Sequence, residues 1–340
     1  MTERRVPSRI VWTDRGPEVE WLATDGRRHE EPFFEQTLRA LSRLEVNRRQ
    51  ALRRTPIEEL AADVEARTPA AFIFHVSRCG STLLCQMLAS LEDSVVVSEA
   101  PVLDDVLRGR RDDPSIDPDD RVAWLRGAVS ALLGGVPGAR RAFVKLDAWH
   151  IFELATVRRA FPVTPFVFVF RDPIEVLVSL SRMPSLALVR DTVTAEQLDL
   201  PTSVRDSLSR EELAAAVVGA IYRAAHRHRD DLVPIAYDQL PALAWRAMPG
   251  CAFTEREIDR MRAAAERDAK DPSRAFERDT AEKRRSISST LSAAHERWSS
   301  DPYAAWLAAV AREPRGRVVG SAAAGELRPA AEVPFARVHA

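Results

Sequence analysis

The stretch Phe72–Leu84, reading FIFHVSRCGSTLL, constrains this chain more than any other. Phe72–Val76 is a short apolar run following Pro69 and small residues, the pattern of a buried parallel strand. Ser77–Gly80 predicts a tight turn, and Ser81 opens a segment with Leu83, Leu84, Met87, Leu88 and Leu91 at helical spacing. A strand, a glycine turn, two hydroxyls and a helix aim unpaired backbone N–H groups and the helix dipole at an anion. Gly80 lets the backbone approach a phosphate, Ser81 and Thr82 add hydroxyl donors, and Arg78 adds a fixed cation. The competing reading is an ordinary strand-to-helix turn with a serine cap.

Around that stretch the chain alternates short apolar strands with helical segments, which predicts an α/β fold: a parallel sheet covered by helices on both faces. The expected strands are Phe72–Val76, Ser94–Val97, Ala142–Leu146, Phe166–Phe170 and Leu232–Ala236. Residues 1–68 read as an appendage, with a hairpin around Asp14-Arg15-Gly16 and helices after Phe34 and Pro56. Trp12, Trp21, Phe33 and Phe34 either line a pocket or, the more frequent use of such residues, pack the appendage onto its domain. Residues 69–311 form the expected α/β domain with a helical C-terminal region. Within it, Arg108–Asp120 reads as an exposed loop, Asp117 or Asp119 as a helix cap, and Met183–Arg210 as an irregular lid. His226 and His228 are two apart on a long helix, point to different faces and make poor joint metal ligands. Residues 312–340, rich in Ala, Pro, Gly and Arg, read as a loosely held tail.

With 340 residues, 46% of them hydrophobic, and a formal net charge of −1, the chain can bury a large core and has no charge excess to attract nucleic acid or a membrane surface. Cys79, Cys85 and Cys251 have spacings that fit neither a disulfide framework nor a zinc site, consistent with a reducing cytoplasm. The N-terminus has no apolar signal-peptide core, and no run approaches membrane-spanning length. The basic residues are almost all arginine; Lys145, Lys270 and Lys283 are the only lysines.

A second anion signal ends the fourth strand of the expected sheet. Phe166–Phe170 runs into Arg171-Asp172-Pro173, with Asp172 suited to a helix cap and Pro173 to the first helical position. Arg171 therefore stands at the carboxyl end of a sheet strand, where open α/β folds bind ligands, and Ser179 lies two turns along the following helix. Alone, Arg171 is read as solvated or ion-paired; together with the first loop it makes two anion sites on one crevice.

SRCGSTLL followed by FRDPIEVLVSLSR resembles the P-loop sulfotransferases, which use 3'-phosphoadenosine 5'-phosphosulfate (PAPS). The resemblance spans about residues 70–290 in topology, with these two segments as its specific part. It implies that Arg78, Cys79, Gly80, Ser81 and Thr82 grip the 5'-phosphosulfate, and that Arg171 and Ser179 grip the 3'-phosphate. Lys283 and Arg284 stand where the family has a basic loop, without its glycine pattern; a solvated charge run is the competing reading. Many members have lysine where this chain has Arg78, although the branch resembling tyrosylprotein sulfotransferases has arginine. Cys79 replaces a frequent serine; it reads either as a reactive thiol at a helix N-terminus or as a small buried loop residue. Glu99, in Ser98-Glu99-Ala100-Pro101, resembles the general base of that branch; the competing reading is a helix-capping acid. Lys145, Asp147 and His150 follow the third strand as rivals or sulfate contacts, without the Lys-x-His pattern of the cytosolic branch. The implied reaction moves a sulfuryl group to a hydroxyl or amine of a small-molecule acceptor, with no metal, nucleic acid or membrane partner.

Two other classes compete. An ATP-dependent kinase or P-loop NTPase needs Gly-x4-Gly-Lys-[Ser/Thr], and Gly80-Ser81-Thr82 lacks that lysine. A Cys-x5-Arg phosphatase is excluded because six residues after Cys79 stands Cys85. A non-catalytic nucleotide-binding module would be free to lose the loop hydroxyls, and both remain.

Overall fold

The computed structural model describes residues 4–26, 28–49, 52–61, 67–134, 136, 138–246, 248–271, 273–277 and 279–312. The tail expected over 312–340 lies, from 313 onward, outside the described residues. Strands β1 (Arg5–Thr13), β2 (Gly16–Ala23) and β3 (Arg53–Pro56) form an antiparallel sheet in that order. Five more, β4 (Ala71–His75), β5 (Ser94–Ser98), β6 (Arg141–Lys145), β7 (Phe166–Phe170) and β8 (Leu232–Ala236), form a parallel sheet in the order β5-β6-β4-β7-β8. Every residue of β4, β5 and β7 is buried, which is why these segments read as unbroken apolar runs rather than alternating ones.

Strand order places the crevice. From β4 the chain runs out to the edge at β5, returns through β6, and then crosses to β7 on the other side of β4. The turns after β4 and β7 therefore leave in opposite directions, and a cleft opens between the carboxyl ends of these two neighbours. Both predicted anion signals stand at its lips.

The helix caps follow the local sequence. Asp172 Oδ1 accepts the Ile174 N–H at 3.0 Å and starts the Pro173–Arg182 helix. Asp117 Oδ1 accepts the Asp119 N–H at 2.7 Å ahead of the Pro118–Gly134 helix. Ser209 and Glu212 form a reciprocal capping box at the start of Arg210–Arg227. That last helix packs against the C-terminal helices, and Trp306 from Ser300–Arg312 sets its ring edge-on to Phe168 and Phe170.

Several expectations are corrected. The stretch expected as an exposed loop over Arg108–Asp120 is mostly helical, because Pro101–Asp112 continues through it and Pro118 sits at a first helical position, where proline lacks no needed N–H. The segment 183–210, expected as irregular, is broken into short helical turns, Leu186–Leu188, Ala195–Leu198 and Thr202–Ser207, with irregular backbone between them. Strand β3, sequence RRTP, has no apolar alternation and exists through its pairing with β2. The N-terminal sheet shares the main core: Val6, Ile10, Val19 and Leu22 belong to the same apolar cluster as Phe72 and Leu125. Among the described residues no helix is long and apolar enough to cross a membrane.

Candidate active site

The turn after β4 is held in an uncommon conformation. Ser77 (φ +72°), Arg78 (φ +50°) and Gly80 (φ +85°) are all left-handed, a state costing a non-glycine residue roughly 1–2 kcal/mol. Such turns fold successive N–H groups into a concavity for an anion. Glycine is required at 80 on two counts: its positive φ, and a Cβ that would stand 2.8 Å from Tyr237 Cδ2. The Gly80 carbonyl accepts the Leu84 N–H at 3.1 Å, and no side chain caps the Ser81–Ala89 helix. Its first N–H groups are thus left for a ligand. Cys79 is buried, and its thiol donates to the Val169 carbonyl at 3.1 Å, tying the turn to β7. Burial raises its pKa, so the reactive-thiol reading is corrected; Cys79 can meet an anion only through its backbone.

Beneath the turn lies a buried charge cluster. Lys145, 1% exposed at the end of β6, places Nζ 2.6 Å from Glu99 Oε1 and 3.2 Å from Thr82 Oγ1. The lysine missing from the turn itself is therefore supplied by a strand more than sixty residues away. Glu99 itself has φ +54°, and its Oε1 also lies 3.2 Å from His75 Nε2. His75 Nδ1 accepts the Ser77 N–H at 3.0 Å, so Nε2 carries the proton that faces Glu99. Burial would raise the Glu99 pKa, but the Lys145 charge and the His75 hydrogen bond outweigh it and hold the carboxyl well below the usual range. Glu99 is thus the counter-ion of Lys145 as much as a prospective base.

Arg78 lies half-buried near Glu99, and its Nη2 donates to the Met183 carbonyl at 2.8 Å, which ties the start of the 183–210 segment to the turn. Lys270 stands solvent-exposed at the rim of this cluster, where partial desolvation and the neighbouring Arg78 and Lys145 charges bring its pKa down to about 8. Both ammonium groups stand over the Phe33 ring, Lys145 at 5.1 Å and Lys270 at 5.9 Å. The N-terminal region thus contributes an aromatic wall to the site, while Phe34 packs the core. Below pH 8 Lys270 is charged, and a bound anion raises its pKa, so affinity for an anionic nucleotide is expected to fall as pH rises through 8. Calorimetry between pH 6.5 and 9.5 checks this; Lys270→Arg, charged throughout, should flatten the profile.

The second socket forms around Arg171, which is 4% exposed. Its guanidinium lies 3.8 Å above the Tyr237 ring, the same ring that fences Gly80. Its backbone carbonyl accepts the Tyr222 hydroxyl. Nε donates to Glu175 Oε2 at 2.7 Å, and Nη2 donates to Asp279 Oδ1 at 2.7 Å and Thr280 Oγ1 at 3.2 Å. Lys283 Nζ reaches Asp279 Oδ2 at 2.8 Å, and Arg284 Nε reaches Glu175 Oε1 at 3.1 Å. The structure thus brings Arg171, Lys283 and Arg284 together: Lys283 is buried at Asp279, whereas Arg284 pairs with Glu175 but stays 63% exposed, as the solvated-run reading expects. Ser179 is half-buried one turn beyond Glu175, on the helix that faces this cluster.

The third-strand rivals separate. His150 is buried with both ring nitrogens engaged: Nδ1 accepts the Asp147 N–H at 3.1 Å, and Nε2 meets Asp104 Oδ1 at 2.9 Å. These bonds make it a fixed donor to Asp104 rather than a free base; burial lowers its pKa, but the Asp104 hydrogen bond and the Asp147 charge outweigh that and raise it. Asp104, Asp147 and His150 have ligand-type atoms within 4.8 Å of one another, but the imidazole has no lone pair left for a cation. Asp147 is buried, and burial, reinforced by the Glu99 and Asp104 charges, pushes its pKa up to about 7.

Sequence reasoning passed over His75, Lys270, Tyr237, Glu175 and Asp279, and ranked the pocket-lining use of Phe33 behind packing. Two signals were present: His75 is a polar residue at the end of an otherwise apolar strand, and all three lysines of an arginine-rich chain gather at the two sockets.

No protein-family model matches the chain, and no curated protein matches it. Solved structures do resemble it. A Mycobacterium avium protein shares 14% identity over 61% of this chain and 69% of its own, with a TM-score of 0.40. An Alicyclobacillus acidocaldarius protein shares 17% over 70% and 99%, at 0.34. A domain from the curacin biosynthetic pathway shares 16% over 68% and 98%, at 0.39. All three are sulfotransferases.

Proposed function

We propose that this chain transfers the sulfuryl group of PAPS to a hydroxyl of a small acceptor in the cytoplasm. One observation carries the reading: Tyr237 is wedged between the two sockets, against Gly80 on one side and under the Arg171 guanidinium at 3.8 Å on the other. A single ring spans the gap between them, which suits one adenosine carrying phosphate at both its 5' and 3' positions.

The residues present fit such a ligand. The turn N–H groups, Arg78 and Lys145 would receive the 5'-phosphosulfate, with Lys145 already at the Thr82 hydroxyl. Arg171 and Lys283 would receive the 3'-phosphate, with the Arg284 charge beside them. When bound, PAPS supplies an activated sulfur: the acceptor oxygen bonds to it as its bond to the 5'-phosphate oxygen breaks, and 3'-phosphoadenosine 5'-phosphate leaves. A proton must leave the acceptor hydroxyl. Glu99 becomes a better base once the ammonium of Lys145 turns toward the phosphosulfate, because its own pKa is depressed mainly by that charge. Asp147, at about 7 without any such change, is the second carboxylate with the strength for the role.

Calorimetry with 3'-phosphoadenosine 5'-phosphate, ADP and ATP-Mg tests the reading. The doubly phosphorylated nucleotide is expected to bind at least about tenfold more tightly than ADP, from its extra charge-assisted contacts. Preference for ATP-Mg would turn the assignment to a kinase, and binding of none of the three would overturn nucleotide chemistry altogether.

A further inference from the structure

Resting on the reading just given, we propose that Asp279 is a resident anion seated where the nucleotide's 3'-phosphate binds, and that its displacement makes this socket selective for a dianion. The carboxylate bridges two cations, with Oδ1 2.7 Å from Arg171 Nη2 and Oδ2 2.8 Å from Lys283 Nζ, as two oxygens of a phosphate would. Thr280 Oγ1, at 3.2 Å from the same Nη2, adds a hydroxyl to the seat.

Of the two acids on Arg171, only one can leave. The Glu175 side chain is 4% exposed and locked between Arg171 and Arg284, whereas the Asp279 side chain is 38% exposed and has an open path to solvent. The Asp279 side chain makes no cap bond to the helix that follows it, Thr280–Arg285, and the Lys283 N–H bond to the Asp279 carbonyl at 2.9 Å does not require that side chain. Arg284–Glu175 and the Arg182–Glu282 pair at 2.8 Å both hold that helix against Pro173–Arg182. Asp279 can therefore swing out while its neighbours stay.

Charge decides what can take its place. With Asp279 seated, three cations (Arg171, Lys283 and Arg284) face two carboxylates (Glu175 and Asp279), a net of one positive charge. With it displaced the net is two, which matches a phosphate carrying about −1.5 to −2 near pH 7. A bare 3'-hydroxyl cannot repay the two ion pairs that Asp279 gives up, so it leaves the carboxylate seated. The pairing itself persists across working pH, since burial raises the Asp279 pKa but the hydrogen bonds from Lys283 and Arg171 bring it below the ordinary value.

The test measures 3'-phosphoadenosine 5'-phosphate and 5'-AMP binding to the wild-type chain, Asp279→Asn and Asp279→Glu by calorimetry, with thermal melts to establish folding. Asp279→Asn should bind the 3'-phosphorylated nucleotide roughly tenfold more tightly, the scale of one charge-assisted contact no longer competed for, and leave 5'-AMP unchanged. Asp279→Glu, which keeps the charge, should stay near wild type. Unchanged or weaker binding by Asp279→Asn, beside a wild type that does bind the nucleotide, overturns the displacement while leaving the proposed reaction intact. Failure of the wild type to prefer the 3'-phosphorylated nucleotide overturns both. Should Asp279→Asn not fold, Asp279→Ser, which also removes the carboxylate between Arg171 and Lys283, takes its place: tighter binding of the 3'-phosphorylated nucleotide than in the wild type supports the displacement, and unchanged or weaker binding overturns it.

Discussion

Lys145→Met is expected to be the most damaging single change in this protein. The substitution keeps the apolar stem but removes the ammonium that lies 2.6 Å from Glu99 and 3.2 Å from the Thr82 hydroxyl. Glu99, 21% exposed, is then left without its counter-ion, and breaking one side of this largely buried pair costs about 3 kcal/mol, the low end for a buried pair. Release of 3'-phosphoadenosine 5'-phosphate from PAPS should fall by about 10²–10³, the usual loss when one preorganised charge stabiliser is removed. The double variant Lys145→Met/Glu99→Gln separates the two roles. Removing both charges should recover most of the stability, read from denaturant midpoints, without recovering affinity for 3'-phosphoadenosine 5'-phosphate. If that affinity returns together with stability, Lys145 serves the fold alone. Glu99 also sets an acid limit. Its pKa is lowered on folding, so the stability it contributes is complete above the ordinary carboxylate range and is lost as pH falls toward the depressed value.

The second large effect falls on nucleotide selectivity. Arg171→Ala removes the guanidinium over Tyr237 and the donors that face the 3'-phosphate seat, so affinity for 3'-phosphoadenosine 5'-phosphate should drop about 10- to 100-fold, the range for charged hydrogen bonds. 5'-AMP, which has no group for this socket, should bind nearly as before. Arg171→Lys keeps the charge but loses the planar fork and the stacking on Tyr237, and should fall between the two. Equal losses for both nucleotides would remove Arg171 from the 3' end of the ligand and leave it as a packing residue over Tyr237. Because Glu175 retains Arg284 as a partner at 3.1 Å, the variant should lose less stability than Lys145→Met.

The two strands that matter most were legible because they are locally encoded. Phe72–Val76 and Phe166–Phe170 are apolar without alternation, which only a strand buried on both faces requires, and Gly80 and Asp172-Pro173 punctuate their ends with residues suited to those backbone positions. The Arg108–Asp120 stretch misled for a related reason. Its prolines and charges imitate a loop, yet one proline opens a helix, and Arg108, Arg110 and Arg111 are half-buried on the last turns of another. Strand β3 was illegible because its four residues carry no pattern of their own.

The sequence alone determined the sheet's core strands, the left-handed glycine turn and the arginine at the neighbouring strand end, since each follows from short-range periodicity and backbone sterics. Tertiary structure alone decided that β4 lies between β6 and β7, that Lys145 enters the turn from another strand, and that Tyr237 separates the two sockets. It alone seated Asp279 on Arg171, 108 residues away in the chain. Such contacts come from how twisted strands pack and where a buried charge finds its counter-ion, and neither leaves a trace in the residues immediately beside it.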